Sequence, residues 1–137
     1  MLTEDAVIRA LREHLAASGW QIVSWAAPDQ HGTDLVALRD GTRLEVEAKG
    51  AGSSKPHTAR YGQPFTAAQV RVHVGEAVLK ALRVVAAGTS RAAVAFPDTL
   101  RHRSETGPIE PVLRRLDIAV YWIAEDGSVT VSESPAQ

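Results

Sequence analysis

Three charged residues carry the chemistry this sequence offers: Asp34, then Glu47 thirteen residues on, with Lys49 two beyond it. Between them Asp40-Gly41 separates a β-type run at Leu35 to Leu38 from another at Leu44 to Ala48. An Asp-Gly pair flanked by such runs signals a two-residue hairpin. With Asp40 and Gly41 as the central turn residues, Arg39 faces Thr42, Ala37 faces Leu44, and Asp34 faces Glu47. Because side chains alternate along a strand, Glu47 and Lys49 share a face, and Asp34 projects from the same face of the neighbouring strand. Directly opposed like charges cost roughly 0.2–1 kcal/mol. A divalent cation reverses that sign, and Mg²⁺ takes one or two carboxylates, keeps several waters and completes its shell with phosphate oxygens.

The flanking segments must position this hairpin. Thr3 is an expected helix N-cap with Glu4 and Asp5 in the first turn, and Val7, Ile8, Leu11 and Leu15 form an apolar stripe that Gly19 ends. Trp20 to Trp25 reads as a strand with Gln21, Val23 and Trp25 on one face and Trp20, Ile22 and Ser24 on the other. The loop from Pro28 to Gly32 then leads to Asp34. Asp29 precedes the apolar strand by too many residues to stand opposite Glu47, and His31 either contacts a phosphate or caps the loop.

After Lys49 the Gly50 to Pro56 stretch has no apolar period, and Lys55, His57 and Arg60 make the region basic. Such a segment either closes over a nucleic-acid backbone or is an ordinary solvent loop. Arg60 to Phe65 suggests a short edge strand broken by Pro64. Thr66 should cap a long helix reaching about Ala87, with Gly88 as its stop. Gln69, His73, Glu76, Lys80 and Arg83 fall on one polar stripe of that helix, facing solvent or a second copy, with Glu76 and Lys80 spaced as a pair. Arg91 to Phe96 reads as a core strand, parallel to its neighbour if the long helix is a crossover. Residues 99–107 look like a polar loop, Pro108 to Leu116 a short helix, Ile118 to Ala124 a fifth strand, Asp126-Gly127 a turn, and Val129 to Val131 a short edge strand. Helix, three strands, long helix, strand, helix and strands predict an α/β fold with a mixed central sheet flanked by helices.

Asp34 followed by Glu47-Ala48-Lys49 resembles the signature of the PD-(D/E)XK nuclease superfamily, and the N-terminal two-thirds is most similar to its small Holliday-junction-resolvase branch. One departure is Thr33, where the superfamily often has Pro. The resemblance implies a restriction-endonuclease-like sheet and a Mg²⁺- or Mn²⁺-dependent DNA endonuclease, structure-selective in the manner of a junction-resolving enzyme. Asp34 and Glu47 would hold the ion with the backbone carbonyl of Ala48, and Lys49 would position or deprotonate the attacking water. It also implies an acid at Glu4 joining the metal site, otherwise a first-turn Glu in water. Gln69 would complete the site, with His73 one turn further, and Lys55, His57, Arg60 and His73 would contact nucleic acid. Junction resolution needs two sites, hence a homodimer, for which the long helix or the Ile118–Val131 hairpin offers a face.

Composition sets the outer bounds. At 137 residues, 45% of them hydrophobic and 23% charged, the chain is expected to form a single domain spanning 1–137. It has no cysteine, no uninterrupted apolar run of membrane length and no signal-peptide pattern, so a cytoplasmic protein without a membrane span is expected. A net charge of −1 argues against a simple DNA-coating protein, yet residues 50–103 carry eight Lys/Arg against two Asp/Glu, and both flanks are acidic. An acidic centre beside a basic segment suits a phosphodiester substrate, while a solvated helix face with a loop gives the same count. The competing function is a catalytically inactive DNA-binding or protein-interaction domain on the same fold, in which Lys49 neutralises Glu47 or Glu45. A phosphate-binding or hydrolase module without nucleic acid is the third.

Overall fold

Local signals set most of the element boundaries in the computed structural model, which describes residues 1–26, 32–53 and 62–133. The Thr3 hydroxyl accepts the amide of Ala6 and opens α1, Glu4–Ala17, whose Val7, Ile8, Leu11 and Leu15 are buried. Strand β1 covers Gln21–Trp25, β2 Leu35–Arg39 and β3 Thr42–Ala48. Thr66 caps α2, Ala67–Ala87, which stops at Gly88 with φ of 76°. There follow β4, Arg91–Pro97, α3, Leu100–Thr106, a 3₁₀ turn at Gly107–Ile109, α4, Glu110–Arg115, β5, Ala119–Ile123, and β6, Val129–Ser132.

Among the described residues the strands form one mixed six-stranded sheet in sequential order, with β1-β2-β3 antiparallel, β3-β4-β5 parallel and β6 antiparallel to β5. The expected α/β architecture, a mixed central sheet flanked by helices, is the one the chain adopts. Period-two alternation splits its core in two. On one face α1 packs against Leu35, Ala37, Leu44, Val46, Ala48, Ala93 and Ala95. On the other, α2 and Leu113 of α4 pack against Ala92, Val94, Phe96, Val120 and Trp122. Strand β5 is buried at every position, so of the proposed Ile118–Val131 dimer face only β6 and the turn are open to solvent. No helix among the described residues is long and apolar enough to cross a membrane.

Three sequence expectations are corrected. Residues 100–106 are helical rather than loop, because Thr99 accepts the amide of His102 and the turn it starts buries His102 and Thr106. In β1 the register shifts between Ile22 and Ser24, so Ile22 pairs with Ala37 and Trp25 with Leu35. This bulge brings Trp25 to the α1 side together with Ile22, instead of opposite it; the Arg12 guanidinium stacks 4.2 Å from its ring. The described part of the Arg60–Phe65 segment makes a single bridge, Gly52 to Pro64, rather than a strand; Arg60 and Tyr61 lie outside the described residues.

The sheet end that carries Lys49 is clamped to the start of α1. A Cβ on Gly50 would stand 2.4 Å from the Glu4 amide nitrogen and 2.8 Å from the Thr3 carbonyl carbon, both of them backbone atoms. Gly50→Ala should therefore lower unfolding stability by about 1–3 kcal/mol, the usual scale of overpacking. A denaturation midpoint in urea unchanged from wild type would show that this contact is not tight.

Candidate active site

The hairpin turn fixes the geometry from which the site grows. Asp40 and Gly41 both have positive φ, 50° and 77°, as a type I′ turn requires. Arg39 pairs with Thr42, Ala37 with Leu44 and Leu35 with Val46, the register read from the sequence. Asp34 is one residue outside the last pair, next to Glu47. Since Leu44, Val46 and Ala48 enter the α1 core, Glu45 and Glu47 turn toward α2.

Asp34 is anchored by the backbone. Its Oδ2 accepts the Ala48 amide at 2.8 Å. Lys49 donates its amide to the Ala95 carbonyl. Successive residues of a parallel ladder address opposite neighbours, so the Ala48 carbonyl points the same way as its amide, toward Asp34. One carboxylate, a second from Glu47 and a main-chain carbonyl thus gather at the mouth of the hairpin.

Glu47 is 6% exposed, and its carboxyl is pushed up to about 7. Burial is the main cause, followed by the charge of Asp34 and a hydrogen bond that the protonated form makes with it, while Lys80 acts in the opposite direction. The carboxyl of Glu4 is also raised, first by burial and then by Asp34, with Lys49 opposing. The start of α1 therefore brings a third acid into range of the pair. Among the described residues no three His, Asp or Glu side chains form a ready metal cage. The donors that do converge are hard oxygens, two of them on crowded acids, and this set fits an ion that keeps most of its own waters.

Helix α2 closes the site from above. Lys49 Nζ lies 3.4 Å from Glu76 Oε2, and Lys80 Nζ lies 3.4 Å from Glu47 Oε2. Glu76 and Lys80 thus reach across to β3. Their spacing had suggested a pair with each other; the sequence signal that they mattered was their place on one stripe with His73, but nothing local said that the stripe crosses the hairpin.

Gln69 is corrected. Its Oε1 accepts the Thr66 amide at 2.9 Å while its own amide donates to the Thr66 hydroxyl, a reciprocal capping box that ties the side chain to the helix start. A Thr-x-x-Gln sequence carried that signal. The His73 ring packs edge-on against Phe65 at 4.5 Å, its buried Nδ1 has no hydrogen-bond partner among the described residues, and burial and Lys49 hold its pKa below the ordinary value. Burial thus disfavours the charged form of this ring. Lys55, His57 and Arg60, like Asp29 and His31, lie outside the described residues.

No family model matches the chain, and no curated protein matches it. Among solved structures it is similar to an fdxN element excision controlling factor protein from Anabaena variabilis, at 15% identity and a TM-score of 0.50 over 92% of this chain and 96% of that one. That likeness is one of fold. Pyrococcus furiosus SfsA, solved in complex with Ca²⁺, is more distant, at 16% identity and a TM-score of 0.39 over 90% of this chain, which spans 58% of the SfsA chain.

On this fold the acidic mouth opens where β2 starts and β3 ends, at the edge of the antiparallel ladder. There the Asp34 carbonyl accepts the Ala26 amide, and Oδ2 of its carboxylate accepts the Ala48 amide.

Proposed function

We propose that this chain is a Mg²⁺- or Mn²⁺-dependent phosphodiesterase of the PD-(D/E)XK type that cuts DNA. The observation that carries the reading is the side-by-side placement of Asp34 and a buried, reluctantly ionised Glu47, with Lys49 just past the end of the same strand. Asp34, Glu47 and the Ala48 carbonyl would hold the ion, and Glu4 would add negative charge nearby. The bound ion supplies a more acidic water and neutralises charge on the scissile phosphate. Lys49 Nζ orients that water or takes its proton, and its charge favours the pentacovalent phosphorus. Glu76 of α2 pairs with the amine at 3.4 Å. A substrate on DNA suits the fold relative whose name gives it control of an element's excision. Resolving a four-way junction would require two such centres and hence a homodimer.

The test is incubation of the wild-type chain with linear, nicked, flap and four-way DNA in Mn²⁺. Cleavage of at least one substrate is expected, and the set that is cut defines the structural preference. If all four stay intact, the nuclease reading is wrong.

A second reading has an observation of its own. Lys49 and Glu47 each hold an ion-pair partner on α2, as they would in an inactive nuclease-fold domain that binds DNA or protein. Metal titration of thermal stability separates the two. An ion bound only by the folded state raises stability by RT ln(1 + [L]/Kd), about 2.7 kcal/mol at a hundred times Kd. Millimolar Mg²⁺ should raise the melting temperature of wild type, and Asp34→Asn should remove the shift. Equal shifts in both proteins would mean that the ion binds elsewhere.

A further inference from the structure

Lys80 stands on α2 with its Nζ 3.4 Å from Glu47 Oε2, and the two ends of this pair differ in their surroundings. The acid side chain is 8% exposed and the lysine 48%, so an ammonium in contact with solvent reaches down onto a carboxylate that water barely touches. Asp34 crowds the same carboxylate from the hairpin side. When Glu47 is ionised, it and Asp34 place two negative charges side by side, and among the described residues Lys80 pairs with Glu47. The companion pair is arranged the other way, with Glu76 of α2 holding Lys49 of the sheet. One turn of helix thus offers an anion to the candidate catalytic lysine and a cation to the candidate metal ligand.

We infer that Lys80 is the resident counter-cation of the Asp34-Glu47 pair, displaced when a divalent ion enters and then free to meet the incoming phosphodiester. This rests on the metal-dependent reading above. A divalent ion held by Glu47 and Asp34 would repel an ammonium 3.4 Å from Glu47 Oε2, because charges so close in a partly buried place are weakly screened. Lys80 has the reach to withdraw, since its long side chain already borders solvent. Lys49, held by Glu76, stays in place during the exchange.

Calorimetric titration with Mn²⁺ of wild type, Lys80→Met and Arg83→Met tests the exchange without any activity measurement. Lys80→Met should bind the ion about fivefold more tightly, equivalent to about 1 kcal/mol at 1.4 kcal/mol per tenfold. Arg83→Met removes a cation one turn along the same helix and should leave affinity unchanged, which separates displacement from a general change in field. Mass-spectrometric amine labelling of wild type provides a second readout: Lys80 should react faster once Mg²⁺ is present. Equal affinities for wild type and Lys80→Met, an equal gain in Arg83→Met, or a labelling rate indifferent to Mg²⁺ would overturn the inference. Absence of Mn²⁺ binding in all three proteins would instead remove the metal-dependent reading, and the exchange with it.

Discussion

Lys49→Ala should lower the rate of Mn²⁺-dependent DNA cleavage by about 10²–10⁴-fold, the range for losing a positioned proton-transfer group. The fold should hardly notice. Lys49 pairs with Glu76, an acid side chain 54% exposed, and ion pairs open to solvent on one side contribute about 0–1 kcal/mol. Lys49→Arg sharpens the test, because a guanidinium keeps the ion pair but cannot accept a proton at working pH. A catalytic Lys49 predicts that both variants melt close to wild type and that both cut slowly. A purely structural Lys49 predicts the opposite pattern: a lower melting temperature in the Ala variant, recovery in the Arg variant, and no dependence of cleavage on either.

The second large effect is a dependence of stability on pH that belongs to Glu47. Its folded-state pKa of about 7 lies above the ordinary 4.5, so the folded protein favours the protonated acid. Below pH 4.5 the carboxyl is neutral in both states, and its contribution to stability is fully present. Between pH 4.5 and 7 the unfolded chain ionises first, and stability on the order of 3 kcal/mol is lost as pH rises. His102 works in the opposite sense. Burial in its position beside Phe96, with His73 as a lesser cause, lowers its pKa to about 4, so the stability it brings is present above pH 6.5 and lost as pH falls. The raw profile of wild type therefore mixes the two. The difference between wild type and Glu47→Gln, measured by urea unfolding in EDTA at several pH values, isolates the carboxyl. Glu47→Gln should be the more stable protein at pH 8 and should lose that advantage by pH 5. A constant difference across that range would mean that Glu47 ionises normally. The same proton competes with the metal, so Mg²⁺ affinity of wild type should climb by about tenfold per pH unit up to pH 7 and then level off.

These expectations depend on groups that differ in how far the chain alone revealed them. The register that sets Asp34 beside Glu47 was legible because it is local: Asp40-Gly41 specifies the turn, the turn specifies the pairing, and period-two alternation then specifies the faces. The parallel placement of β4 followed in the same way from a capped helix long enough to cross the sheet. Near-neighbour patterns decide such features before any tertiary contact forms.

Other features have no local cause. The bulge at Ile22 and Ser24 places Trp25 beside α1, where Arg12 covers it, and no feature within β1 announces the slip. Gln69 had two uses open to it, and its side chain takes the Thr66 amide, fixed three residues away. Glu76 and Lys80 reach residues 27 and 33 positions distant. Their meeting with Lys49 and Glu47 depends on where α2 crosses β3. The sequence by itself determined which acids share a hairpin face and which segment must bridge to a parallel strand. Only the folded sheet decided which charges neutralise those acids, because a helix settles over a sheet wherever its apolar face packs best, and its polar stripe has to follow.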